Sequence, residues 1–308
     1  MISVIIPCFN EEEHVERCLR SILSCGFKTG EFEIIVVDNG SSDTSPEIIA
    51  TFESVKVVTI HRNTAATARN TGRAHAVGDL LCFLDADTSV NQTWRQTVEG
   101  LAARADSVFA GFSCRVPAEP SFVERNWFAP LYRKPRYFAG ANICISATLF
   151  DQLGGFDANL VTAEDVDLFQ RAVDSGVEPE FEPTLEVVHH GYPSSIAAFF
   201  RREAWHGVSD MRSLAAFVTS KVAVVSFLFS AAVATAVIST LIGAFSIAIF
   251  AAAAAAGLCV LFVVYKFGRR AKPTDIRSTG AKLAMAAVYM LARTWSLTRA
   301  ITGRTARR

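Results

Sequence analysis

The sequence predicts an α/β fold with a mainly parallel sheet flanked by helices, followed by a transmembrane helical hairpin and an amphipathic helix. Three observations predict it. Short apolar runs alternate with helix-like patterns through the first half, as in strands joined by crossover helices. Polar and acidic clusters follow several of those runs, at the strand ends where an open parallel sheet binds its ligands. Residues 222–265 carry no charge, a run more than twice the roughly 20 residues that one membrane crossing needs.

At 308 residues the chain can hold one sizeable domain and an accessory segment. Its hydrophobic content of 51% and mean hydropathy of +0.29 are high for a wholly soluble enzyme. The 30 basic and 30 acidic side chains balance, so no global field favours nucleic acid. The 7 cysteines (Cys8, Cys18, Cys25, Cys82, Cys114, Cys144, Cys259) form no CxxC pair. Such an odd, scattered set fits a reducing compartment and neither a disulfide framework nor a zinc site. Ile2 to Pro7 is too short for the apolar core of a signal peptide, and the first domain is expected to stay in the cytosol.

Ile2 to Ile6 reads as a strand ended by Pro7. Asn10 is expected to cap a helix whose first turn is Glu11, Glu12 and Glu13 and whose apolar face is Val15, Leu19 and Ile22. Phe32 to Val37 is a second strand, and Pro46 suits the first turn of the next helix. Val55 to Ile60 makes a third strand, Ala65 to Val77 a helix stopped by Gly78, and Leu80 to Leu84 a fourth strand. A helix over about Gln92 to Ala105 and a strand over about Val108 to Cys114 follow. After a loop rich in proline and aromatics (Pro117 to Phe138) come an apolar strand through Ile145, a short helix, and a helix from Glu164 to Ser175.

Two crossings joined by a turn near Gly243 account for the uncharged run. Arg212 and Lys221 flank one side, and Lys266, Arg269, Arg270 and Lys272 the other. This places both ends in the cytoplasm by the positive-inside rule. The final segment, about 281–302, carries Arg293 and Arg299 and is read as an amphipathic helix in the interface, with a third crossing as the alternative. Phe199, Phe200, Arg201 and Arg202 are expected to press against the bilayer. The expected domains are therefore 1–212, catalytic, and 213–308, membrane-anchoring.

Asp85 and Asp87 end an apolar strand, where paired carboxylates repel unless a cation sits beside them. A hard divalent ion there can bridge diphosphate oxygens and stabilise charge on a leaving nucleotide. Neither GxxxxGK[ST] nor GxGxxG is present, so the P-loop and dinucleotide-binding classes lack their central feature.

These residues reach a resemblance. The chain resembles the family-2 glycosyltransferases in SVIIPCFNEEE (Ser3 to Glu13), VVDNGSSDTS (Val36 to Ser45) and ARNTGRAHAVGDLLCFLDADT (Ala68 to Thr88). GAN (Gly140 to Asn142), GGFD (Gly154 to Asp157) and EDVDLFQR (Glu164 to Arg171) follow in the family's order. The resemblance covers about residues 2 to 192 and implies the GT-A fold. It implies further that Pro7, Phe9, Glu11 and Asp38 hold the base and ribose, that Arg69 lies near the diphosphate, and that Asp85 contacts ribose or sugar. By the same resemblance Asp87 is the main metal ligand, with Mn2+ or Mg2+ as the cofactor and His190 as a further ligand, the neighbouring His189 being the alternative in that place. Asp165 is the general base, and Gly140, Asn142 and Glu164 shape the acceptor side. Asp38 also suits a turn cap, Glu164-Asp165 a dipole-favoured first turn, and His190 or His189 simple loop packing.

Two departures stand out. The family often has a second Asp where this chain has Asn39, a change expected to alter base contacts. The QxxRW segment of processive synthases survives only as Trp205. The expected activity is inverting transfer of a single sugar, of the hexosyltransferase class, from a nucleotide-sugar (UDP ahead of GDP) to a lipid-linked or glycan acceptor at the cytoplasmic membrane face. The alternatives are a sugar nucleotidyltransferase, for which Pro7 to Glu11 lacks a Gly-rich loop and lysine, and a non-catalytic membrane scaffold.

Overall fold

The computed structural model describes residues 1–28, 30–104, 108–132, 135–211, 213–268 and 276–301. Arg212, Arg269, Arg270 and Lys272, which the charge argument used, lie outside the described residues, as do Ala105 and Thr302 at two expected helix ends. The chain divides into two compact units, 1–118 with 132–192, and 119–131 with 193–308.

In the first unit the order is β1 (Ile2–Cys8), α1 (Val15–Leu23), β2 (Phe32–Asp38), α2 (Ser45–Ala50), β3 (Val55–Thr59), α3 (Ala65–His75) and β4 (Leu80–Leu84). There follow β5 (Thr88–Val90), α4 (Gln92–Ala102), β6 (Phe109–Gly111), β7 (Asn142–Ser146), α5 (Ala147–Gln152), α6 (Glu164–Asp174), β8 (Glu180–Phe181) and β9 (Val187–His189). The main sheet runs β3-β2-β1-β4-β7-β6-β8. From β3 to β4 all neighbours are parallel, whereas β7 is antiparallel to both β4 and β6.

Both faces are covered, which is why β1, β2 and β4 read as continuous apolar runs. Val4, Ile6 and Cys8 meet Val15, Leu19 and Ile22 of α1 and Trp94 of α4 on one face. On the other, Ile5, Leu81 and Phe83 pack with Phe109, Phe150, Phe156 and Leu168. Gly72 of α3 is needed here, because an added Cβ would overlap the Ile5 side chain. A separate ribbon pairs β5 antiparallel with β9, Thr88 opposite His189.

Some elements differ from expectation. Asn10 is not a cap: it takes a left-handed φ of 54°, its carbonyl side-chain oxygen accepts from Ser42 N–H at 2.8 Å, and the helix begins at Val15. The strand expected over Val108 to Cys114 shrinks to Phe109–Gly111, and the loop after it departs into the second unit over residues 119–131.

That second unit holds a π-turn at Glu124–Phe128, α7 (Ile196–His206), α8 (Leu214–Thr219), α9 (Lys221–Leu241), α10 (Phe245–Phe267) and α11 (Ile276–Ile301). The hairpin turn falls where expected, at Gly243 with φ 76°. Among the described residues α9 and α10 are long and apolar enough to cross a membrane, with mean hydropathies of 2.3 and 2.8. Trp127 anchors residues 119–131 among Phe199, Phe267 and Tyr289, at centroid distances of 5.1, 5.4 and 5.0 Å. Buried Glu203 pairs with Arg202 at 3.0 Å and Arg293 at 3.3 Å. Phe199 and Arg202 therefore serve internal packing, while Arg201 is exposed. Helix α11 starts earlier than expected and buries Met285, Tyr289 and Met290, so its Arg293 also faces inward, paired with Asp210 at 3.2 Å.

Candidate active site

The parallel strands β3, β2, β1 and β4 end side by side, and the last three deliver candidate residues there. Asp38 closes β2, Phe9 and Glu11 follow β1, and Asp85 and Asp87 follow β4. Because β7 is antiparallel to β4, with Asn142 opposite Leu84, its start brings Gly140 to the same edge.

Arg69 organises the centre. Its buried guanidinium donates from Nη2 to Asp85 Oδ1 and from Nη1 to Glu164 Oε1, both at 2.7 Å. Although burial favours the neutral form, the two carboxylates hold it charged. It is thus a brace between β4 and α6, and it sits over Phe156 with 5.4 Å to the ring centroid.

Asp165 lies in the first turn of α6, which starts after Ala163 in a left-handed φ of 66°. A non-glycine residue there is strained, and such strain gathers at functional sites. Asp165 Oδ2 accepts from Gly140 N–H at 3.0 Å and Oδ1 from Val166 N–H at 2.8 Å. Burial pushes its carboxyl up to about 6, aided by Glu164 and opposed by the Gly140 hydrogen bond and Arg69. A Cβ added to Gly140 would lie 3.0 Å from Arg69 Nη2 and 3.5 Å from Asp165 Cβ, so glycine permits this approach.

Asp85, Asp87 and His189 bring one ligand atom each within 4.8 Å of one another. His189 Nε2 lies 3.5 Å from Asp87 Oδ2, and its ring stacks on Tyr192 at 4.1 Å. Burial raises the Asp87 carboxyl, partly offset by His189. Asp87 Oδ1 and His189 Nδ1 are buried without a hydrogen-bond partner, and such atoms require compensation. The residues therefore fit a divalent cation. Gly191 belongs to the same construction, since a Cβ there would overlap the Asp87 carboxylate.

The structure groups His189, not His190, with the aspartates. His190 Nε2 meets Ser89 Oγ at 2.8 Å, while its backbone N–H donates to Asp87 O at 2.8 Å. The strand runs one residue further than its apolar run, and successive side chains leave it on opposite faces. Asn142 also departs from expectation. It is fully buried and donates to Leu185 O at 2.8 Å, so its amide tethers β7. Glu164 is turned to Arg69.

Of the remaining expected residues, Pro7 lies in β1 opposite Val37, and Glu11 N–H donates to Ser45 Oγ at 2.8 Å. Asp38 Oδ1 accepts from Ser41 N–H at 3.0 Å, which makes it the turn cap, and it is 4% exposed. Phe9 lies beneath Arg62, whose guanidinium carbon is 3.4 Å from the ring centroid. Asn39, expected to bear on base contacts, instead uses both ends of its amide on the backbone of Asn63. His189 is the second of the two candidate histidines, whereas Gly191, Tyr192 and Arg62 carry no motif by which the sequence alone would have selected them.

Three comparisons with known proteins bear on this edge, which carries a carboxylate pair after β4 and a buried carboxylate on α6. The chain belongs to glycosyl transferase family 2, whose family model matches residues 3–156. It is 28% identical over 207 residues to glycosyltransferase AglE of Haloferax volcanii, covering 62% of this chain and 67% of that one. It is 27% identical over 225 residues to the pre-mycofactocin glycosyltransferase of Mycobacterium tuberculosis, but spans only 46% of that relative. Among solved structures, mannosyltransferase PcManGT from Pyrobaculum calidifontis, in complex with GDP-Man and Mn2+, superposes with a TM-score of 0.58 at 21% identity, over 94% of this chain and 86% of that one. TarS of S. aureus gives 0.52 at 20% identity, over 68% and 39%. These likenesses establish a GT-A-like fold, and the chain is a glycosyltransferase.

Proposed function

We propose that this glycosyltransferase moves a single sugar, with inversion, from a nucleotide-diphosphate sugar to a lipid-linked acceptor at the cytoplasmic face of a membrane. The observation that carries the reading is the Arg69 brace, which ties the Asp85–Asp87–His189 cluster to the α6 turn bearing Asp165. In an inverting transfer the acceptor hydroxyl attacks opposite the leaving diphosphate, so a base must stand across from the diphosphate site. Asp165 is the group suited to take that proton. Asp85, Asp87 and His189 would hold Mn2+ or Mg2+, which supplies electrostatic stabilisation of the leaving diphosphate. The two carboxylates suit either ion, but the imidazole fits less well with Mg2+, which takes oxygen ligands, and Mn2+ is the ion found in PcManGT.

UDP stands ahead of GDP as the donor base. A lipid acceptor is supported by α9 and α10, whose apolar windows are only 22% buried. Lys221 begins α9 and Lys266 lies in the last turn of α10, which supports cytoplasmic ends. An anchor in the same chain keeps the enzyme where lipid acceptors are concentrated.

Nucleotide release from UDP-, GDP- and TDP-sugars by the detergent-purified full chain tests the reading, with Mn2+, Mg2+ or EDTA and with or without a membrane-lipid extract. The expected result is metal-dependent turnover of one donor that rises when the extract is added. No turnover and no nucleotide binding under any condition would leave a membrane scaffold as the better account.

A further inference from the structure

The strand order gives the donor site a direction. Gly140 and Asp165 stand on the β7 side of Asp85, so a diphosphate at the end of β4 directs its sugar that way. The nucleoside must then extend across β1 towards β2 and β3, whose ends lie about 4.8 Å apart. Waiting there are Phe9, Asp38 and Arg62.

Arg62 is held in place from below. Asn39 Nδ2 donates to Asn63 O at 2.9 Å and Asn39 Oδ1 accepts from Asn63 N–H at 2.8 Å. Only an amide can do both, since a carboxylate has no donor. Ile60 N–H donates to Asp38 O at 2.9 Å. Gly40, at φ 74°, lets the segment close up: a Cβ there would stand 3.0 Å from Arg62 N. The loop after β3 is thereby fastened to the end of β2, with the Arg62 guanidinium over Phe9 at 3.4 Å. The guanidinium packs against the ring while its Nη1 donates to Asn63 O at 3.3 Å, and a guanidinium carries five N–H donors in all.

We propose that Arg62 is a specificity-determining residue of the donor site, selecting nucleobases that present a carbonyl oxygen over those that present an amino group at the same position. The proposal rests on the reading that the donor is a nucleotide-sugar. A guanidinium is donor-only, so it pairs with O4 of uracil or O6 of guanine and opposes N4 of cytosine or N6 of adenine. A site built on such a hydrogen bond rejects the analogue that cannot make it. Asn39 acts through Arg62 as a positioning residue, which gives the departure from the family's second Asp a physical purpose.

Calorimetric titration of the detergent-purified full chain with UDP, CDP, GDP and ADP in Mn2+ tests this. The wild type is expected to favour UDP over CDP and GDP over ADP by about tenfold or more, about 1.4 kcal/mol per decade. Arg62→Ala should bring both ratios to within about twofold, and Asn39→Asp should lower them part of the way. Circular dichroism checks that each variant is folded. Equal wild-type affinity for all four, or an Arg62→Ala variant that weakens all four alike or leaves the ratios unchanged, would overturn the proposal while leaving the donor reading intact. Failure of the wild type to bind any of the four would overturn both.

Discussion

Asp165→Asn is expected to lower kcat by about 10²–10⁴-fold, the usual contribution of a general base. The substitution is close to isosteric, so the side-chain oxygen can still accept from Gly140 N–H and the loss reports chemistry and not collapse of the turn. The wild-type pH profile carries a second signature. Burial raises this carboxyl to about 6, and only the ionised form can take a proton. Activity should therefore fall as pH drops through about 6, and be restored above it. In Asp165→Asn that acid limb should disappear. An acceptor that is already anionic, such as a lipid phosphate, would not need the proton removed. A wild-type profile flat through this range, with a small effect of Asp165→Asn, would point to that acceptor and remove Asp165 from the base role.

Asp87→Ala should abolish metal-dependent turnover, by about 10³-fold or more, since a cation at a diphosphate supplies several kcal/mol and each 1.36 kcal/mol is tenfold. Titration of Mn2+ followed by electron paramagnetic resonance reads the binding directly. Binding should be lost in Asp87→Ala, weakened in His189→Ala, and nearly unchanged in His190→Ala. Gly191→Ala should weaken Mn2+ about 10–100-fold by displacing the Asp87 carboxylate, as disturbance of a metal's outer partners does. A stronger effect of His190→Ala than of His189→Ala would contradict the grouping seen in the structure.

Much of this site was legible because its parts are local. The apolar runs of β1, β2 and β4 announce buried parallel strands, and Asp38, Asp85 and Asp87 follow directly from where those runs stop. The acidic first turn that holds Asp165 is equally local, whereas its role as a base comes from the family resemblance and is a proposal. What was not legible depends on partners far away in sequence. Whether His189 or His190 faces Asp87 is decided by the register of β9 on β5, which no local pattern encodes. Asn142 sits in a recognisable motif, yet its burial against Leu185 O is set by packing of distant segments. Asn10 has a cap's chemistry but is diverted to Ser42, 32 residues on. Trp127 and its turn look like loop, and only the aromatic residues of α7, α10 and α11 explain where they go.

The central claim is that one base and one diphosphate site act from opposite sides of the transferred sugar. The anomeric configuration of the product, read by proton nuclear magnetic resonance before it can equilibrate, tests that claim most directly. The account predicts a configuration opposite to that of the donor. Retention of the donor's configuration would contradict it, because a single displacement by a hydroxyl activated opposite the diphosphate inverts the anomeric carbon.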